Sequence, residues 1–330
     1  MIKIFVKTLV AMAIVFSSVA TYGQQEAQYT QFMYNKMLVN PGFAGARRAP
    51  SVSALYRNQW MDYNGHPQSY LVSFDAALGK NRLGTGLVLH RQTEGVLTRS
   101  MANMALSYDI IHTEQTTLRF GLSGTVREFQ FSLQDPEVYI KDSKDPLLNP
   151  ESPKTTNANI GAGIYFDNKN YYFGISVPSL MKKPISLRNN VNGTYLGTEK
   201  QHIYVMAGGF FDLFGNSDFN LKPSIMYKYV PNAPFSLDAN LSIMVRKTFM
   251  GGVSYRLGGK YGVGDLKSGN GDSVDLLTFF QVTDQLGVGL AYDFTLSQLS
   301  SYNKGSFELV TRYDFVSNRT RILHNPRIFF

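Results

Sequence analysis

Apolar and polar side chains alternate with a period of two through most of the chain, from about residue 52 to residue 315. The clearest case is residues 286–296, where large apolar residues occupy the even positions and small or polar residues the odd ones. Successive side chains of a β-strand point to opposite faces, so this pattern indicates a sheet with one apolar face and one polar face. The two faces therefore meet different surroundings.

Alternating segments separated by turn residues predict about fourteen strands. The predicted strands are residues 51–60, 67–77, 83–93, 98–110, 116–131, 157–167, 170–178, 199–213, 219–229, 234–247, 249–257, 273–282, 285–296 and 305–315.

The connections between these strands differ in length according to their position. Those that follow odd-numbered strands are often long, whereas those that follow even-numbered strands are all short. An outer-membrane β-barrel has long outer loops and short periplasmic turns in this order. We therefore predict an antiparallel transmembrane β-barrel with both termini in the periplasm. The long connections are residues 132–156, 179–198, 258–272 and 297–304, and the short ones are 78–82, 111–115, 167–169, 214–218, 247–248 and 283–284.

The polar face of the predicted strands is expected to line the lumen. Arg119, Arg127 and Asp238 lie in the middle of strands, where a charge is costly against lipid and tolerable in a wet interior. Glycine is frequent on the same face and leaves space that loops or the N-terminal segment could fill. These glycines are Gly84, Gly86, Gly161, Gly163, Gly287 and Gly289.

The first residues have the pattern of a secretory signal peptide. Residues 1–23 contain Lys3 and Lys7, then an apolar run at residues 8–15, then small residues before a cleavage site at Gly23. A transmembrane anchor is the alternative, but the apolar run is shorter than the ~20 residues that span a bilayer. The predicted organisation is a signal peptide at 1–23, a periplasmic or plug segment at 24–50, a barrel at 51–315 and a periplasmic tail at 316–330.

Composition narrows the chemistry that the chain can perform. The sequence has no cysteine, which excludes lipid attachment after cleavage, disulfides and thiolate chemistry. The formal net charge of +8 is spread along the chain, which argues against nucleic-acid binding. Aromatic residues make up 13%, in keeping with interfacial girdles of a barrel.

Several ordered motifs of this chain resemble one family. They are QYTQFMYN at 28–35, LVNPGFAG at 38–45, RNQW at 57–60, PQSY at 67–70, SFD at 73–75 and PRIFF at 326–330. This set is similar to the PorP/SprF family, outer-membrane proteins of the type IX secretion and gliding systems of Bacteroidota.

The resemblance implies a barrel that exports or anchors large cell-surface proteins, such as adhesins with a C-terminal sorting domain. It also implies contacts with periplasmic type IX secretion subunits and, in some members, with a peptidoglycan-binding partner. Family members divide between an energy-transducing role and a substrate-anchoring role, and both remain open here. The resemblance carries no catalytic motif.

Asn40, Pro41 and Gly42 form a predicted turn, because asparagine before proline avoids the helical region and glycine permits positive φ. The surrounding residues 28–45 fit either an ordered plug or brace, or a short capping turn at the periplasmic rim. Trp60 and nearby Tyr63 fall at the outer end of the first strand, where an interfacial anchor is favoured over a ligand platform.

The remaining candidate contact residues lie in a long connection and at the C-terminus. Asp135, Asp145 and Asn149 each precede a proline in residues 132–156, a connection long enough to be a functional surface for an exported partner. The tail ends in aromatic residues and fits a periplasmic recognition tail or a frayed end. Its candidate contacts are Arg327, Phe329 and Phe330.

We predict no enzymatic activity, cofactor or metal site. The five histidines are scattered and lack a flanking nucleophile motif or metal-ligand spacing. Residues 265–272 lack the ligand spacing of a calcium loop. The main alternative function is a passive channel or a transporter of hydrophobic substrates, because a fourteen-strand barrel with a partly polar lumen also suits that task.

Overall fold

The computed structural model describes residues 26–78, 82–132, 154–186, 195–213, 216–231, 233, 235–258 and 272–315. None of the helices among these residues has the length and apolar character of a membrane span. The strands are β1 (Ser51–Asn58), β2 (Gln68–Leu78), β3 (Leu83–Glu94), β4 (Leu97–His112), β5 (Thr116–Phe131), β6 (Lys154–Asn168), β7 (Tyr171–Val177), β8 (Lys183–Ser186), β9 (Tyr195–Glu199), β10 (Ile203–Gly209), β11 (Phe211–Leu213), β12 (Asn216–Tyr229), β13 (Ser236–Val245), β14 (Phe249–Gly258), β15 (Ser273–Gln281), β16 (Leu286–Thr295) and β17 (Ser306–Asp314).

Fourteen of these strands form a closed antiparallel barrel. Strands β1 to β7 pair in sequence order, β12 to β17 do the same, and β10 joins β7 to β12. Pairing of β1 with β17 joins the remaining edges. The prediction of an antiparallel barrel of about fourteen strands is therefore confirmed, and among the described residues the wall closes without a free strand edge.

Burial along the strands follows the predicted two-residue period. In β16, Leu290 and Phe294 are exposed on the outer face, whereas Ala291 and Asp293 are buried on the inner face. In β13 the polar residues Asp238 and Asn240 are buried in the same way. The polar face thus points into the barrel and the apolar face points outward, as the mid-strand charges predict.

One predicted strand is wrong. The interpretation of residues 199–213 as a single strand does not hold, because β9, β10 and β11 divide this stretch. Strand β9 pairs with β8 in a separate hairpin, whereas β10 and β11 both pair with β12 in the barrel wall. Strand β8 and all of β9 except Glu199 lie within residues 179–198, which the sequence predicts as a long connection, so this connection contains a hairpin.

The two ends of the barrel differ in their connections. One end carries the longer connections, and we call it the long-loop mouth. The strands that end there are β1, β3, β5, β7, β12, β14 and β16. The opposite end, where β1 begins and β17 ends, is the short-turn end. The β3–β4 connection, residues 95–96, is the exception at the long-loop mouth, because it has only two residues.

Candidate functional site in the barrel lumen

Residues 26–49, which we call the lumen segment, lie inside the barrel. None of them is exposed, and residues 29–37 are all buried. The segment has no strand periodicity and folds into three short 3-10 turns, at Phe32–Tyr34, Lys36–Leu38 and Pro41–Phe43. Its side chains share one buried cluster with residues from strands around the wall. The barrel interior is therefore a packed core rather than an empty passage.

The first described residue, Glu26, is held by charged groups near the long-loop mouth. Its carboxylate lies 3.0 Å from Arg127, which also pairs with Glu199 of β9. The Glu26 backbone N–H donates to His202 Nε2 at 3.4 Å, and Lys228 Nζ donates to the Glu26 carbonyl at 3.0 Å. Burial alone raises the pKa of Glu26, but Arg127 and the neighbouring positive groups outweigh it and lower the pKa to about 2.

A second charged cluster fixes the next part of the lumen segment. Arg57 of β1 pairs with Asp293 at 2.6 Å and with Glu308 at 2.9 Å, and all three side chains are buried. The backbone N–H groups of Thr30 and Gln31 donate to Glu308 at 3.0 and 2.8 Å, and the Thr30 hydroxyl donates to Asp293 at 2.8 Å. The lumen segment therefore donates hydrogen bonds to the Asp293 and Glu308 carboxylates in addition to those from Arg57, so that more of their lone pairs have a donor.

Aromatic residues surround the middle of the segment. The Tyr34 ring stacks on Phe279 of β15 with centroids 4.5 Å apart. The Lys36 ammonium lies 3.6 Å from the ring centroid of Tyr172 and donates to the Tyr165 hydroxyl at 3.4 Å. Ring faces and a hydroxyl are the groups that stabilise this cation.

The predicted turn at Asn40-Pro41-Gly42 lies within the lumen, against β5 and β6. The Asn40 side chain accepts from the Gly42 N–H at 2.9 Å and donates to the Ile164 carbonyl at 3.0 Å. The sequence predicts that this turn uses a positive φ at Gly42, and this is wrong. The positive φ occurs at Gly45 instead, with φ 67°. Gly42 allows a close approach to β6, since a Cβ there would lie 3.1 Å from the Tyr165 backbone nitrogen, which is tighter than an ordinary contact.

Glycines on the inner wall leave room for the lumen segment. A Cβ at Gly121 of β5 would overlap the backbone of Pro41 and Gly42. The same holds for other wall glycines, where a Cβ would overlap a residue of the segment. The wall and the segment are thus complementary in shape, with backbone contact at Gly121 and Gly84 and contact with segment side chains at the other glycines. The further glycines and their neighbours are Gly84 with Ala44, Gly86 with Met37, Gly163 with Asn40 and Gly289 with Gln31.

The far end of the segment is fixed near the short-turn end. Arg47 pairs with the buried Asp75 of β2 at 2.8 Å and donates to the Tyr34 carbonyl at 2.6 Å. Ser107 of β4 donates to the Ala44 carbonyl at 2.7 Å. These bonds lock the chain just before it enters β1.

The β8–β9 hairpin packs against the inner side of β6 at the long-loop mouth. Asn157 donates to the Pro184 carbonyl at 3.2 Å, and Asn159 donates to the Met181 carbonyl at 2.7 Å. Ile185 of the hairpin is only 3% exposed. Together with the pairing of Glu199 and Arg127, these contacts place the hairpin over the lumen beside Glu26.

The predicted contact residues lie in different places. Asn40, Pro41 and Gly42 are buried in the lumen, whereas Trp60 and Tyr63 lie in the β1–β2 connection at the long-loop mouth. Trp60 has φ 55°, and its backbone N–H donates to the Ser306 hydroxyl at 3.1 Å. Tyr63 is 50% exposed. The predicted signal peptide lies outside the described residues, as do Asp135, Asp145, Asn149, Arg327, Phe329 and Phe330.

Sequence reasoning did not find the charged residues that hold the lumen segment. The alternation predicts Arg127 on the inner face, as observed, but it gives no sign of the partners Glu26 and Glu199. The Arg57 cluster was missed in the same way, although Arg57 lies within a motif that carries the family resemblance. A buried charge on an inner face is a sign that a partner exists, without indicating which one.

Comparisons with known proteins bear on both the family and the fold. The family model described as type IX secretion system membrane protein PorP/SprF matches residues 21–313. The CymD monoaromatic hydrocarbon channel is similar in structure, with a TM-score of 0.55 and 9% identity over 90% of this chain and 95% of CymD.

Two other solved structures are similar at lower scores. A Pseudomonas aeruginosa FadL homologue has a TM-score of 0.46 and 11% identity over 89% of this chain and 96% of its own. Acinetobacter baumannii Omp33 has a TM-score of 0.46 and 6% identity over 82% of this chain and 100% of its own. A comparison with curated proteins finds no match. At these identities the structural likeness concerns the fold alone.

Proposed function

This chain belongs to the PorP/SprF family of type IX secretion system membrane proteins, and from that premise we propose that it exports or anchors large cell-surface proteins without enzymatic activity. Its closed barrel and its family place it in the outer membrane. The proposed clients are adhesins that carry a C-terminal sorting domain. The proposed periplasmic partners are secretion subunits or a peptidoglycan-binding protein.

The packed lumen is the observation that carries this proposal. The lumen segment contacts wall residues on both halves of the barrel, including Tyr165 of β6 and Phe279 of β15. Buried ion pairs and backbone contacts hold it along its length. A conduit needs a continuous path between the two ends, whereas a scaffold needs rigidity and surfaces for partners. The observed interior suits a scaffold.

In this proposal the partners bind at the two ends of the barrel. The exported protein meets the long-loop mouth, where Trp60 and Tyr63 lie and to which the connection with Asp135, Asp145 and Asn149 belongs. The C-terminal residues Arg327, Phe329 and Phe330 meet the periplasmic components. Loops held by a rigid barrel are a common location for such contacts.

Affinity purification from the native outer membrane, followed by mass spectrometry, tests the proposal. We expect stable recovery of a secreted surface protein or periplasmic secretion subunits, and no conductance when the purified chain is placed in a planar bilayer. Recovery of the barrel alone, together with robust conductance, would overturn the proposal. A matched sample of an unrelated barrel from the same membrane controls for carry-over of lipid and abundant proteins.

A passive channel or hydrophobic-substrate transporter is the second candidate. Its support is the fold that this chain shares with CymD, a monoaromatic hydrocarbon channel, at a TM-score of 0.55. This function requires that the lumen segment moves or leaves a lateral path. The conductance measurement above distinguishes the two candidates, because only the channel predicts current through the unmodified protein.

A further inference from the structure

The lumen segment has a definite direction, which follows from the strands it contacts. Glu26 contacts Arg127 and Lys228, which lie near the ends of β5 and β12 that face the long-loop mouth. Glu199 and His202, in the β7–β10 connection, complete the surroundings of Glu26 at the same mouth. The segment therefore starts at the end of the barrel that carries the long connections.

The later contacts lie nearer the opposite end, although Leu38 and Val39 still line a cavity together with Glu26 and Arg127. Thr30 bonds Glu308, which lies near the start of β17 and still close to the long-loop mouth. Tyr34 stacks on Phe279, which lies near the end of β15 that faces the short turns. Arg47 pairs with Asp75, near the last residues of β2 at the short-turn end. The chain thus passes through the barrel from one end to the other.

The two limits of the described chain lie at opposite ends of the barrel. The Phe315 N–H donates to the Pro50 carbonyl at 2.8 Å, where β1 begins and β17 has ended. Glu26 is at the other end, beside the β8–β9 hairpin. The route of the lumen segment therefore amounts to a fifteenth crossing of the barrel's height, made inside the wall rather than along it.

We propose that the processed N-terminus lies at the long-loop mouth, and hence at the cell surface, while the C-terminal end of the barrel lies on the periplasmic side. Only two residues separate Glu26 from the predicted cleavage site at Gly23. Two residues reach at most about 7 Å, which is too short to return through an apolar band about 25 Å tall. The sequence-based expectation placed both termini in the periplasm, and this inference replaces it for the N-terminus.

The physical reason for this route is the complementarity of segment and wall. The inner glycines Gly121 and Gly84 leave room for the backbone of residues 41–44, and the two charged clusters bind residues 26–31 near the long-loop mouth. The opposite direction would separate Glu26 from Arg127 and place Arg47 away from Asp75. This inference does not depend on which protein the barrel exports or anchors.

Single-cysteine labelling tests the inference, because the chain has no cysteine of its own. Gln25→Cys reports the N-terminal end, Asn64→Cys reports the β1–β2 connection at the long-loop mouth, and Lys169→Cys reports the short-turn end. Each full-length variant is expressed in cells and treated with a membrane-impermeant maleimide, before and after permeabilisation of the outer membrane. N-terminal sequencing verifies that the signal peptide has been removed.

We expect Gln25→Cys and Asn64→Cys to be labelled in intact cells, and Lys169→Cys only after permeabilisation. If Gln25→Cys, like Lys169→Cys, were labelled only after permeabilisation, the inference would be overturned. Failure to label Gln25→Cys under either condition would overturn it as well. An epitope inserted between Gln24 and Gln25, detected by antibody on intact cells, repeats the test if Gln25→Cys prevents assembly. Heat-dependent migration on gels verifies that each barrel is folded.

Discussion

Replacing Gly121 by alanine should loosen the lumen segment and open the barrel. Gly121 lies on the inner face of β5, and its Cα faces the backbone of Pro41 and Gly42. A Cβ at this position would overlap backbone atoms that belong to a buried turn, so no flexible side chain can move aside. The added methyl group therefore pushes directly on the backbone of the lumen segment where it packs against β5.

The expected size of the effect follows from this overlap. Overpacking a well-packed interior typically costs about 1–3 kcal/mol. If this cost destabilises the state in which the lumen segment is packed in the barrel, the ratio of molecules with a displaced segment to molecules with a packed segment rises by roughly 5- to 160-fold. The conversion uses about 1.4 kcal/mol for a factor of ten. The barrel wall itself keeps its hydrogen bonds, so the strands are expected to remain paired.

Gly124→Ala is the matched control, because Gly124 lies on the same strand and a Cβ there would meet nothing within 4 Å. Both variants are placed in planar bilayers, and the fraction of time in conducting states is compared with the unmodified protein. We expect Gly121→Ala to conduct and Gly124→Ala to match the unmodified chain. Equal behaviour of the two variants, with both barrels folded, would refute the seating of the segment against β5.

Three further predictions concern the charged clusters and the outer face. Arg57→Met leaves two buried carboxylates uncompensated and should lower the free energy of unfolding by about 3–5 kcal/mol in urea titrations; an unchanged midpoint would contradict the cluster. The pKa of Glu26 is lowered from 4.5 to about 2, so its contribution is present above pH 4.5 and is lost as the pH falls through about 2. Limited proteolysis should show acid loosening of the segment in this window, and less pH dependence in Glu26→Gln. Leu122 lies on the outer face, where it is 54% exposed, and Leu122→Arg should cost roughly 2–4 kcal/mol of stability in lipid vesicles. Thr116→Arg, at the end of the same strand, is the control. A smaller loss of stability in Leu122→Arg than in Thr116→Arg would contradict burial of Leu122 in the membrane.

The barrel wall could be predicted from the sequence because its period is local. In β5 and β13 most positions alternate between an apolar outer face and a polar or small inner face, with exceptions such as Phe129 and Met244 on the inner face, so the pattern predicts the strand and its orientation together. Charges such as Arg119 and Asp238 indicated which face points inward. Strand ends shifted by a few residues, because alternation does not mark where pairing stops.

The site in the lumen could be predicted only in outline. The segment has no period of its own, and its 3-10 turns form because the wall encloses them. Arg57 and Glu308 are 251 residues apart in sequence, so their pairing depends on the closure of β1 against β17. The β8–β9 hairpin lies almost entirely within residues 179–198, where the sequence predicts a connection, because its two short strands are too brief to give a clear two-residue period.

The most direct test of the barrel with a packed lumen is the accessibility of nitroxide spin labels at two neighbouring pairs of positions. Leu122 and Leu290 lie on the outer face, and Ser123 and Ala291 lie on the inner face. With the protein in lipid bilayers, labels at 122 and 290 should collide readily with oxygen and poorly with a water-soluble nickel chelate. Labels at 123 and 291 should be protected from both reagents. Ready access of the nickel chelate to 123 and 291 would contradict a filled lumen, and equal oxygen access at neighbouring positions would contradict the barrel itself.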